Sequence, residues 1–108
     1  MDDLTELLKG VLEGAVMQIL THGPNYGYEI VKALNGVGFV SVSEGTVYPI
    51  LLRLEKKGCV NVAQVRSEMG PPRKVYTLNA AGVAALESFW QRWEFIAARL
   101  DQLKEAKQ

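Results

Sequence analysis

Cysteine and histidine each occur once in these 108 residues, as Cys59 and His22, so the chain can close no internal disulfide and assembles no set of ligands at metal spacing. There is no nucleophile elbow and no phosphate-binding glycine loop. The stretch GVGFVSVSEG at 36–45 has glycines but lacks the strand-to-helix fingerprint. Carboxylates are scattered, without neighbours that would tune one of them as a base. These gaps leave no catalytic residue, metal site or cofactor to name, and an enzymatic reading falls away. No apolar run approaches the roughly 18 residues that a membrane span requires. The first ten residues, MDDLTELLKG, are too acidic for a secretory signal. A cytoplasmic protein without a membrane partner is the expectation. Surplus charge is missing as well, with 12 Lys and Arg against 12 Asp and Glu.

What is present is a moderately apolar chain, 48% hydrophobic, able to hide roughly 60–70% of its unfolded surface and so to build one core. Leu4, Leu7, Leu8, Val11, Leu12, Ala15, Val16, Ile19 and Leu20 repeat at helical spacing, with Gly10 placed to bend or divide the helix and His22, Gly23 and Pro24 to stop it. A second helix is expected over 25–34, capped by Asn25. Residues 39–42 then read as a short strand. His22, at a helix end that mildly favours a cationic ring, and Cys59, a small apolar strand residue, need no further role.

Residues 43–58, SEGTVYPILLRLEKKG, carry the strongest signal. Val47, Ile50, Leu51 and Leu54 recur at spacings of three and four, the stripe a surface helix turns inward. Ser43 serves as N-cap, or Ser41 does with Glu44 completing a capping box. Pro49 falls near the first turns, where a missing N–H costs least, and Gly58 stops the helix. Ser43, Thr46, Tyr48, Pro49, Arg53 and Lys56 are left for the outer side, with Lys57 beside them. Hydroxyls and phenols reach phosphates, apolar edges touch thymine methyls, and Arg bridges guanine O6 and N7. A plain solvated face would account for the cations equally well, and Tyr48 can either touch DNA or pack beneath the following ribbon.

That ribbon tips the balance. Val60, Val62 and Ala63 to Val65 form a β-branched run with partial alternation, residues 67–72 break it, and Val75, Tyr76 and Thr77 resume it, a hairpin with Pro71 and Pro72 at the tip. Arg66, Arg73 and Lys74 flank the tip, where long cations reach a phosphate backbone. Between residues 32 and 74 there are seven cations and three anions, so the neutral total conceals one positive segment.

Asn79 is placed to cap a last helix that continues without a break for about 40 Å. Leu86, Trp93 and Leu100 lie seven apart, as do Phe89, Ile96 and Leu103, with Val83, Trp90 and Ala97 alongside. Exposed indoles and a Phe would form a large apolar patch, so a homodimer through this helix is expected. The N-terminal helix is expected to contribute to it. Two reading heads then meet successive major grooves of an inverted repeat in double-stranded DNA. Trp93 and its symmetry mate either pack simply in the seam or offer flat indoles to a planar aromatic effector.

Three segments together, NYGYEI at 25–30, GTVYPILLRLEKKG at 45–58 and GPPRKVYTLNAAG at 70–82, closely resemble the PadR family of bacterial transcriptional regulators, over about residues 8–103. The resemblance implies a mostly helical α+β fold, a winged helix-turn-helix with a two-stranded wing and one long C-terminal dimerisation helix, the compact form of the family. It implies a DNA-binding domain over 1–78 and a dimerisation helix over 79–108, and a repressor that a ligand loosens from its operator. Multidrug-responsive members use a tryptophan matching Trp93. The rival reading is a dimeric scaffold or ligand-sequestering protein that binds no DNA.

Overall fold

The first amphipathic stretch breaks at Gly10. In the computed structural model, which describes residues 4–106, helix α1 spans Thr5–Leu8 and α2 spans Leu12–Leu20, so the glycine divides the helix. Asp2 and Asp3 of the acidic N-terminus, and Lys107 and Gln108 at the far end, lie outside the described residues. Helix α2 buries Leu12, Val16, Met17 and Leu20. Against it lie α3 (Gly27–Gly36), which buries Ile30 and Leu34, and α4 (Glu44–Lys56), which buries Val47, Ile50, Leu51 and Leu54. These side chains close one core; removing a large aliphatic from it costs about 2–5 kcal/mol.

The wing forms as expected, with β2 (Val60–Val65) antiparallel to β3 (Arg73–Leu78) from Val60↔Leu78 to Val65↔Arg73, and Pro71 and Pro72 in the connecting loop. The third strand does not lie at 39–42. It is β1 (Asn25–Tyr26), paired with Tyr76 and Val75 on the free edge of β3, giving the order β1-β3-β2. Residues 39–42 turn instead, because Asn35 Nδ2 donates to the carbonyls of Phe39 at 2.8 Å and Val42 at 3.0 Å and so satisfies groups a strand would have paired. Asn25 accordingly is no helix cap. Its Oδ1 accepts from the Tyr26 amide at 3.0 Å, and α3 begins two residues later, from an extended Tyr26.

Helix α4 starts at Ser43, whose backbone is extended but whose hydroxyl makes no capping bond. Pro49 sits at the sixth helical position, as the Ser43 cap implies, on the exposed side of the helix. Gly58, at φ +75°, reverses the chain while the Cys59 amide donates to the Leu54 carbonyl at 2.9 Å. Helix α5 (Ala80–Glu105) is capped by Asn79, whose side chain accepts from the Gly82 amide. The molecule is 62 Å long with a radius of gyration of 16.0 Å, against about 13 Å for a compact chain of this length. The protruding end of α5 accounts for the difference.

Candidate nucleic-acid interface

With its inner stripe buried, α4 turns Tyr48, Pro49, Leu52 and Lys56 outward at spacings of three and four. Leu52, half exposed, was not expected there. Ser43 and Glu44 open the helix and are solvated. Arg53 and Thr46 lie on a flank. The Arg53 Nε is 3.6 Å from Glu13 Oε2 and the Lys57 Nζ is 2.8 Å from Oε1 of the same carboxylate, so α2 holds both cations at the back of the helix. Thr46 borders a shallow groove with Leu8 and Ser41. The Arg53 guanidinium thus has an ion-pair partner on α2 while its side chain stays half exposed, a pairing 40 residues distant that no local spacing reveals.

All four tyrosines of the chain, Tyr26, Tyr28, Tyr48 and Tyr76, line one open cleft of about 730 Å³ between the start of α3, the first turns of α4 and the wing, with Glu44, Pro72, Arg73 and Lys74 completing it. Tyr26 and Tyr28 stack with centroids 5.6 Å apart at 14°. The Arg73 guanidinium stands 5.4 Å from the Tyr28 ring and donates through Nη1 to the Tyr28 hydroxyl at 3.2 Å, while Lys32 Nζ approaches the same ring at 5.5 Å. These contacts hold a wing cation and a phenol in register before anything binds. Tyr48 is packed on one side and open on the other. Its ring rests on Gly27, where a Cβ would come within 2.7 Å of Cε1, yet 43% of the residue stays exposed toward the cleft. Tyr76 forms the floor; burial, with Tyr48 and Glu55 adding to it, pushes its phenol above the ordinary value, keeping it a neutral donor.

Among the described residues that line this cleft, Glu44 is the one carboxylate beside the two wing cations. Arg66 is exposed at the other side of the wing loop. Phosphate oxygens suit such a surface: phenolic O–H groups and guanidinium N–H groups are donors, and the charge balance favours an anion. The expected residues Tyr48, Arg73 and Lys74 are thus brought together. Tyr26 and Tyr28 were missed as interface residues, although their closeness in NYGYEI to a loop was visible. Among the described residues no group of His, Cys, Asp and Glu is placed to hold a metal ion, and no helix is long and apolar enough to cross a membrane.

The C-terminal helix divides into two parts. Leu86, expected in a dimer seam, is instead in the core at 6% exposure. Phe89 lies on Gly14, and Trp90 Nε1 donates to Gln18 Oε1 at 2.8 Å, so both are engaged within the chain. Beyond them Trp93, Ile96, Leu100 and Leu103 are exposed along one face. Phe95, also exposed, stands off that face with Arg99 at 4.1 Å over its ring.

Residues 16–88 match the family described as Transcriptional regulator PadR-like family. A PadR-like transcriptional regulator from Bacillus cereus is 38% identical, with a TM-score of 0.81 over 94% of this chain and 99% of that one. A Streptococcus transcriptional regulator is 37% identical, with a TM-score of 0.80 over 92% and 97%. A PadR family transcriptional regulator from Eggerthella lenta is 29% identical, with a TM-score of 0.83 over 96% and 90%.

Proposed function

Because the chain belongs to the PadR-like family of transcriptional regulators and is a DNA-binding regulator of transcription, we propose that it acts as a homodimeric repressor released by a planar aromatic effector. The reading head extends to residue 78 and is backed by the base of the tail helix that begins at Asn79, whose pairing part starts at Trp93. Tyr48, Pro49, Leu52 and Lys56 of α4 face the major groove, with Ser43 at its mouth. Arg66, Arg73 and Lys74 follow the phosphate backbone, and Tyr28 and Tyr48 donate to a phosphate between wing and helix. The observation that carries this reading is the shared cleft in which Tyr28, Tyr48 and the wing cations meet.

Pairing follows from the tail. Trp93, Ile96, Leu100 and Leu103 are too apolar to remain in water over several turns, and a two-fold mate covers them at once. An aromatic ligand between the two Trp93 indoles changes the distance between heads and lowers operator affinity by its preference for the altered arrangement. Selection of bound fragments from random duplex DNA tests the head: paired, inverted half-sites are expected. Replacing Arg73 and Lys74 together by Ala should lower the slope of log affinity against log salt by about one to two units. An unchanged slope removes the wing from the interface, and the absence of any enriched sequence defeats the assignment of operator recognition.

A further inference from the structure

A single residue, Asn79, separates the last wing strand from the tail helix. Its amide donates to the Cys59 carbonyl at 3.2 Å, and its Nδ2 donates to the Gly58 carbonyl at 2.9 Å and to Asn61 Oδ1 at 3.1 Å. Its Oδ1 accepts from the Gly82 amide at 2.9 Å. Gly58 ends α4, Asn61 belongs to the wing, and Gly82 lies in the first turn of α5. One side chain therefore ties the exit of the recognition helix, the wing and the start of the tail. Gly82 is buried against the same turn. A Cβ there would collide with the backbone oxygen of Cys59 and with Leu78, and the oxygen belongs to a hydrogen-bonded turn that cannot yield. A second fastening, Phe89 on Gly14 and Trp90 to Gln18, lies about two turns further on.

The tail is thus a lever clamped at its base with no flexible linker. From the joint to the exposed face near Ile96 is about 16 residues, or roughly 24 Å at the α-helical rise. A tilt of about 10° at the joint moves a head by about 4 Å relative to the seam, and both heads of a two-fold pair by about 8 Å, more than two base-pair steps of about 3.4 Å. We propose that Asn79 and Gly82 are specificity-determining positioning residues: without touching DNA, they set the launch angle of α5 and hence the spacing between half-sites that the regulator accepts. This rests on the dimeric DNA-binding reading above.

The test is selection from a duplex library with random half-site spacing, run on the full chain as wild type, Gly82→Ala and Asn79→Ser. The serine keeps a cap acceptor but withdraws the reach to Gly58 and Asn61. Both variants should remain dimers in sedimentation and enrich the same half-site sequence, with the preferred spacing shifted by one or two base pairs or spread over several. If Gly82→Ala does not fold, Asn79→Ser alone decides. Wild-type spacing and narrowness in the folded variants overturn the assignment. So does an equal shift in Ile30→Ala, a core variant on α3 that loosens the head away from the joint. A wild type that enriches only lone half-sites overturns the paired reading and this assignment with it.

Discussion

Leu86 and Leu100 lie two heptads apart on α5, yet the first is 6% exposed and the second 57%. Their surroundings differ, not their chemistry. The base of the helix rests on α2, so Leu86 enters the core, Phe89 covers Gly14 and Trp90 finds Gln18. By Trp93 the helix is about 20 Å from its cap, beyond the reach of a head of this size. Trp93, Ile96, Leu100 and Leu103 continue the apolar face and stay 41–70% exposed. A periodic apolar stripe says that a face seeks cover, and the length of the neighbouring element decides whether the cover is internal.

The sharpest way to break this division is to shorten both leucines. Leu86→Ala should lower unfolding free energy by about 2–5 kcal/mol in urea titration, while Leu100→Ala leaves the stability of the dilute chain within about 0.5 kcal/mol. Equal losses would make the whole helix part of one core. Next in size, Trp93→Glu places a charge in the exposed face and should weaken self-association by about tenfold or more, equivalent to about 1.4 kcal/mol, in sedimentation. Dimers of undiminished strength would locate pairing elsewhere.

Smaller effects sharpen the boundary. Trp90→Phe removes the donor to Gln18 and should cost about 0.5–1.5 kcal/mol of chain stability with self-association unchanged; a loss of pairing would move the boundary toward the head. The smallest effect belongs to the head alone. Because burial raises the Tyr76 phenol above its unfolded value near 10, its contribution is complete below that pH and declines as pH rises through the folded value. Tyr76→Phe should flatten part of the alkaline loss in a series of denaturation curves, and an unchanged alkaline limb would exclude the buried phenol as its source.

Much of the architecture was legible from short-range signals. The stripe Val47, Ile50, Leu51 and Leu54, the Gly58 stop and the Asn79 cap each depend on residues within one or two turns, so local spacing carries them. The wing needed only two β-rich runs and a double proline between them. Most of what the sequence did not reveal depends on a partner far along the chain. Asn25 and Tyr26 became strand because the edge of β3, some 50 residues later, offered pairing. Arg53 turned to Glu13, and Tyr28 acquired a guanidinium from the wing. The loop at 39–42 was misread for a nearer reason: one asparagine side chain occupied carbonyls that strand formation would have needed.

The amino-acid order alone determined the helices, the hairpin, the positive segment and the apolar run of the tail, because periodicity and capping act between neighbours on one element. Folding decided which of those side chains are spent inside the chain and which remain outside it. Four tyrosines scattered over 50 residues became one cleft, and a continuous stripe became a buried base and an exposed end. Such outcomes depend on the angles at which elements cross and on how far each extends, and these are set by packing between segments distant in the chain.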